Sequence, residues 1–314
     1  MTVRALVFTA AHQVQVLDVD APEATDTDVV VDVKAVGVCG SDLHGIAGTG
    51  WRQPPLVMGH EVAGLDPEGR RVAVNPLIPC GACDLCLLGQ QNLCRHRQLL
   101  GVQRPGGFSH QVAVPRTALH VLPESLDWAA AALIEPLANA VHACRLAGNL
   151  AGGRVGVIGA GALGLLTTAV AALEVPDELS VADPFEHRLA VADGLGATTT
   201  SARLDGEYDV LIDAVGSAHT RAESLRLLRP GGQAVWLGLA EPEARLDGNA
   251  VVRDEKRLTG SFAYSDTEFA AAVALAESVD LSWTTSVDLE DSAAVFLDLA
   301  AGRSDIVRAV IRPS

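Results

Sequence analysis

The sequence predicts an α/β protein of two domains, one β-rich and one built on a doubly wound parallel sheet. Three observations carry this. At 314 residues with a hydrophobic share of 49% the chain exceeds the usual single-domain size and can fill two cores. Short β-type runs separated by Gly and Pro occupy the stretch before Leu126, and from there strands alternate with helices. A G-x-G-x-x-G pattern stands at the first strand-to-helix turn of that alternating part.

Taken in order, Val3 to Phe8, Val14 to Val19, Val29 to Val36, Arg71 to Val74 and Ser109 to Val114 read as strands of a folded-over β domain. Leu126 to Leu146 is Ala-rich with apolar residues at helical spacing. Arg154 to Ile158 (strand), Leu163 to Leu173 (helix), Leu179 to Ala182 (strand) and Glu186 to Leu195 (helix) then begin the alternation, which continues through Tyr208 to Ala214, Ala222 to Leu228, Ala234 to Leu239 and Leu258 to Phe262. That is the pattern of a parallel sheet covered on both faces. Helices at Thr267 to Glu277 and Glu290 to Ala301 and a closing strand at Ile306 to Ile311 are expected to return to the first domain. The expected division is therefore 1–125 with 263–314, and 126–262.

A formal charge of −16 argues against nucleic acid, because phosphate binding needs clustered Lys and Arg. No apolar run is long enough to span a bilayer, and MTVRALVFTA reads as a first strand rather than a secretory leader, so the expectation is a cytoplasmic protein without a membrane partner. Six cysteines, four of them between Cys80 and Cys94, then suggest metal ligation rather than disulfides.

Gly159-Ala160-Gly161-Ala162-Leu163-Gly164 follows the apolar strand and opens a helix. The first glycine allows a tight turn, the second lets a pyrophosphate approach the backbone, and the third lets helix and strand pack closely, while free helix N-terminal amides meet the phosphate charge. Asp183 ends the next strand, where a carboxylate can accept both hydroxyls of an adenosine ribose and would repel a 2′-phosphate. NAD is expected over NADP, with Arg188 as the residue that could reverse this.

Cys80, Cys83, Cys86 and Cys94 form C-x2-C-x2-C-x7-C, a lobe (80–94) whose four thiolates can close a tetrahedral zinc shell; the competing readings are an iron–sulfur cluster, for which four thiolates also suffice, and an uncommitted cysteine-rich loop. A second, dispersed set is Cys39, His60, Glu61 and Glu135. By spacing alone it is weak, since His60 reads equally as a buried hydrogen-bonded residue and Glu135 as a helix start.

Together GVCGSDLH (37–44), GHE (59–61), the cysteine lobe, EPLANAVHA (135–143) and GAGALG (159–164) occur in the order found in the medium-chain zinc-dependent alcohol dehydrogenases, and the chain resembles most their polyol, sorbitol and threonine dehydrogenase branch. The resemblance implies a GroES-like catalytic domain carrying a structural zinc in the lobe, a Rossmann domain, and an active-site cleft between them. It places Cys39, His60, Glu61 and Glu135 around a catalytic zinc, the two glutamates alternating between direct and water-mediated contact. Asp42 would orient His60, and Ser41 with His44 would conduct the proton from the alcohol toward solvent. Gly159, Gly161, Leu163, Gly164, Asp183 and Arg188 would hold the adenosine side of the cofactor, and Leu237, Gly238, Leu239, Phe262 and Tyr264 would stand beside the nicotinamide. A homodimer or homotetramer acting on a small alcohol or ketone is implied as well.

Gly45 and Ala263 depart from the sorbitol-type pattern, which has an aromatic residue and an arginine there, and this speaks against sorbitol itself; polyols, cyclitols, amino-sugar alcohols and hydroxy amino acids stand as substrates, with Trp51 a candidate pocket residue. In this reading zinc acidifies a bound hydroxyl and hydride passes from carbon to nicotinamide. Two rivals are a zinc-free quinone or enone reductase using NADPH, and a non-catalytic nucleotide-binding zinc protein.

Overall fold

The computed structural model describes residues 1–47 and 52–313, so Trp51 lies outside the described residues. The chain divides into two compact units: Met1–Glu135 with Ser265–Glu277 and Leu281–Ser314, and Pro136–Tyr264 with Ser278–Asp280.

In the first unit the alternating run Asp28–Gly37 is the hub of a seven-stranded sheet. It pairs antiparallel with Glu61–Leu65, Gln111–Pro115 and the late strand Ala309–Arg312. Val31, Val33, Val36, Val62 and Val72 bury their side chains with Met58 and Phe108 in one apolar cluster. Each such side chain, fully buried, stabilises the fold by about 1.5–3 kcal/mol. Phe296 of the helix Ser292–Ala300 meets Phe108 edge-on at 6.1 Å.

The Ala-rich stretch expected as one helix is two, Trp128–Ala132 and Ile134–Ala147. Asp127 caps the first by accepting from the Ala130 amide. This short helix packs its Ala132 on Ala35 and Val310 of the sheet, which is why the first unit extends to Glu135, beyond the compositional change at Leu126. The closing strand begins at Ala309 rather than Ile306.

The second unit holds six parallel strands in the order Thr199–Ser201, Glu178–Ala182, Arg154–Ile158, Tyr208–Asp213, Leu228–Trp236, Arg257–Gly260. This is the doubly wound dinucleotide-binding order, reversing direction of progression at the Arg154–Ile158 strand. The following helix, Ala162–Leu173, is buried along most of its length. Its two buried hydroxyls, Thr167 and Thr168, are satisfied by donating to the carbonyls of Leu163 and Gly164 at 2.7 and 2.9 Å.

Candidate functional site

Strand register assembles the first cluster. Gly37, the last residue of its strand, stands opposite Glu61, the first residue of the next, and this juxtaposition carries Cys39 alongside His60. One donor atom each from Cys39, His60 and Glu61 lies within 4.8 Å of the others. Cys39 opens the short helix Gly40–Gly45, from which Asp42 bends back: its Oδ2 accepts the Cys39 amide at 3.2 Å, and its Oδ1 faces His60 Nδ1 at 3.5 Å.

The same Oδ1 accepts a hydrogen bond from the buried Arg52 guanidinium at 2.9 Å. Burial works against the Asp42 carboxylate, but the nearby His60, then the Arg52 charge and the Cys39 amide, hold it below the ordinary value. Burial likewise opposes a protonated His60, yet Asp42 and Cys39 hold its pKa well above the ordinary imidazole value. With Nδ1 turned to Asp42, Nε2 is left for a metal.

Glu61 is fully buried, paired with the buried Arg308 guanidinium, and neither of its oxygens has a hydrogen-bond partner. A thiol, an imidazole and a buried carboxylate converging within ligand distance of one another fit a metal cation. Gly37 makes room for that carboxylate, since a Cβ there would fall 1.9 Å from Glu61 Oε2. Gly45 does the same for Arg52, whose Nη1 would stand 2.7 Å from an added Cβ. Arg52 also donates to the carbonyls of Ser41 and Gly101.

Ser41 is half-buried and His44 exposed, one helical turn apart. Glu135 is buried in the first turn of its helix and lies outside the Cys39–His60–Glu61 group, though its charge reaches Arg308.

The four-cysteine lobe converges on one point. The Sγ separations are 3.5 Å for Cys83–Cys86 and Cys80–Cys94, 3.8 Å for Cys83–Cys94 and 4.0 Å for Cys80–Cys86. A tetrahedron with Zn–S bonds of 2.3 Å has edges of about 3.8 Å. Thiolates bound to different irons of a cluster would stand further apart, so the lobe fits a single ion. The amides of Cys80 and His96 donate to Cys94 Sγ, both at 3.4 Å, and the Cys86 amide pulls the Cys83 thiol down to about 6.

In the second unit the glycine loop follows Arg154–Ile158 and Gly161 caps the helix. Gly164 lies so close to the loop that a Cβ would be 1.7 Å from the Gly159 carbonyl oxygen. Asp183 is buried, accepting the Ala160 amide on Oδ2 at 2.8 Å and the Phe185 amide on Oδ1 at 3.0 Å. Arg188 approaches Asp183 at 3.7 Å and lies over the Phe185 ring at 4.7 Å. Leu163 is half-buried at the loop. Further along the sheet Leu237, Gly238 and Tyr264 are buried, whereas Leu239 and Phe262 are exposed. Ala263 takes a left-handed backbone, φ +51°.

Sequence reasoning did not find Arg52, Arg308 or the role of Gly37. Arg308 carries no local motif, and the Arg52–Gly45 exchange has a signal only in the unexpected glycine after His44.

Residues 25–124 match the alcohol dehydrogenase GroES-like domain and residues 162–278 the zinc-binding dehydrogenase domain. An L-idonate 5-dehydrogenase of Vitis vinifera is 33% identical over 278 residues, covering 78% of this chain and 76% of that protein. An L-threonine 3-dehydrogenase of Streptomyces coelicolor is 32% identical over 317 residues, 91% and 92% of the two chains. The crystal structure of a zinc-binding dehydrogenase from Sinorhizobium meliloti 1021, bound to NADP, superposes over 100% of both chains with a TM-score of 0.93 at 29% identity. The chain therefore belongs to the medium-chain zinc-dependent alcohol dehydrogenases, in their polyol and threonine dehydrogenase branch, and is a zinc-dependent oxidoreductase of the alcohol dehydrogenase type that works with a nicotinamide cofactor.

Proposed function

We propose that the enzyme transfers a hydride between a secondary alcohol of the polyol, cyclitol or sugar-alcohol type and NAD, at a metal held by Cys39, His60 and Glu61. The observation that carries this is the convergence of one donor atom each from Cys39, His60 and Glu61 within 4.8 Å of one another, with His60 and Glu61 buried. Zinc bound there supplies Lewis acidity toward a substrate oxygen. Asp42 orients His60 for ligation, and Arg308 balances the charge of Glu61. Ser41 takes the hydroxyl proton and His44, exposed to solvent, releases it. Glu135 stands in reserve as a second carboxylate. The amides of the glycine loop bind the pyrophosphate; Asp183 accepts the adenosine ribose hydroxyls, and Leu237, Gly238, Leu239, Phe262 and Tyr264 flank the nicotinamide.

The preference for NAD rests on Asp183, since a buried carboxylate opposes a further phosphate and engages the nearest cation, Arg188. The S. meliloti neighbour holding NADP favours the opposite choice. A screen of secondary alcohols with NAD and NADP, on protein of measured zinc content, decides. Reduction of NAD by at least one polyol or cyclitol, with a second zinc beyond that of the cysteine lobe, is expected. Absence of the second zinc, or higher catalytic efficiency with NADP, overturns the corresponding part.

We also place the enzyme in the cytoplasm as a homodimer or homotetramer. None of the six cysteines is in a disulfide, and no described helix is long and apolar enough to cross a membrane. A monomer mass in sedimentation would remove the oligomer.

A further inference from the structure

The strands Tyr208–Asp213 and Leu228–Trp236 end side by side, and the segments that follow are fused into one ledge. Ala240 and Glu241 donate their amides to the carbonyls of Val215 and Gly216 at 3.2 and 3.0 Å. Gly216 is pressed so close to Gly238 that a Cβ would lie 2.0 Å from the Gly238 carbonyl oxygen. The ledge begins at the phosphate loop, where a Cβ on Gly159 would meet Val215 Cγ2 at 2.5 Å, and it presents the largely exposed side chain of Leu239.

Beneath it lies Arg221, on the helix Ala218–Arg226 and 8% exposed. Its Nη1 donates to the Glu241 carbonyl at 2.6 Å and its Nη2 to the Gly238 carbonyl at 3.2 Å, while Nε has no hydrogen-bond partner and the guanidinium lies 5.2 Å from the Trp236 ring centroid. Asp213, fully buried, supplies the opposite charge and binds the other half of the ledge through the amides of Val215 and Gly216, both at 2.9 Å. Taking a guanidinium out of water is costly unless its donors are used, and here two of them are used on the carbonyls of Gly238 and Glu241, which bracket Leu239 and Ala240.

We propose that Arg221 is a positioning residue for the nicotinamide half of the cofactor: by clamping the carbonyls of Gly238 and Glu241 it sets the height of the segment on which the ring rests. In parallel sheets of this order the dinucleotide crosses the carboxyl ends of the strands, and the ledge continues from the phosphate loop along that edge. The inference rests on the reading above that Leu237–Leu239 flank the nicotinamide.

The test compares binding of NADH with binding of ADP-ribose, which lacks only the nicotinamide ring, by calorimetry on Arg221→Met, Arg221→Lys and Leu239→Ser. Arg221→Met is expected to weaken NADH about tenfold, the equivalent of one charge-assisted hydrogen bond, and to leave ADP-ribose within about twofold. Arg221→Lys should fall between, and it carries the comparison if the methionine variant does not fold. Parallel weakening of both ligands, or a lower Tm with both affinities unchanged, would make Arg221 a brace of the fold only. If Leu239→Ser shifts the ratio and Arg221→Met does not, Arg221 fails while the placement of the ring stands. If neither shifts it, the placement itself is wrong and the proposal falls with it.

Discussion

Replacing Gly37 by alanine puts a methyl group where the Glu61 carboxylate now lies. The backbone at Gly37 is not in the left-handed region, so the substitution adds volume without backbone strain. The new Cβ would stand 1.9 Å from Oε2 and 3.0 Å from Cδ, and ordinary contact begins near 3.4 Å, so the carboxylate must retreat by about 1.5 Å. Metal–ligand distances tolerate only about 0.2 Å, so a retreat of this size removes Glu61 as a ligand rather than bending the site. The expected loss is at least about 10–100-fold in affinity for one zinc of two, the cost of losing even an outer-shell partner, or at least about 1.4–2.7 kcal/mol, with the cysteine-lobe zinc retained. Titration with a zinc chelator, read by elemental analysis, measures both ions on one sample. Two zincs held at wild-type affinity, with wild-type turnover, would show that Glu61 does not sit over Gly37 as described.

Asp183→Ser should relax the preference for NAD by removing the carboxylate that opposes a 2′-phosphate; unchanged NAD/NADP efficiency ratios would exclude Asp183 as the discriminator. Arg308→Met leaves the buried Glu61 charge without its partner and should destabilise the chelator-stripped protein by about 3–5 kcal/mol. The zinc-loaded form should lose less, because the ion replaces the lost countercharge, and equal losses in urea unfolding would contradict this. Asp209 is held below 3.8 by the Arg154 amide, despite partial burial, and by Arg229. Its contribution is therefore complete above the unfolded-state pKa and lost as pH falls through the lower folded-state value. Asp209→Asn should cost under about 1 kcal/mol near neutrality, and a gap that stays constant through that acid window would refute the pairing.

What the sequence made legible was local. A glycine loop between strand and helix, four cysteines within one lobe and an acid at the next strand end announce themselves through spacing, and each stands where that spacing implies. The other centre depends on a register between strands, Gly37 opposite Glu61, that no window of sequence contains. Arg308 comes from the far end of the chain to a residue chosen by strand pairing, and nothing adjacent to it advertises the partnership. Gly45 was visible as a departure from the sorbitol pattern, but its cause was not: the space a side chain at 45 would need is filled by Arg52, which secures Asp42. The Ala-rich stretch broke into two helices because Ala132 is claimed by the sheet.

The first unit is interrupted by the second, and this has a consequence for biosynthesis. A ribosome releases Cys39, His60 and Glu61 early, yet the strand that pairs with Gly37 and the arginine that neutralises Glu61 emerge only after the whole parallel-sheet unit. At 5–20 residues per second the glutamate waits roughly 10–50 s for its counterion. The parallel-sheet unit can fold during that interval, whereas the metal centre closes last, so a nascent chain stalled before Arg308 would expose an unfinished β-sheet edge and a carboxylate without its counterion.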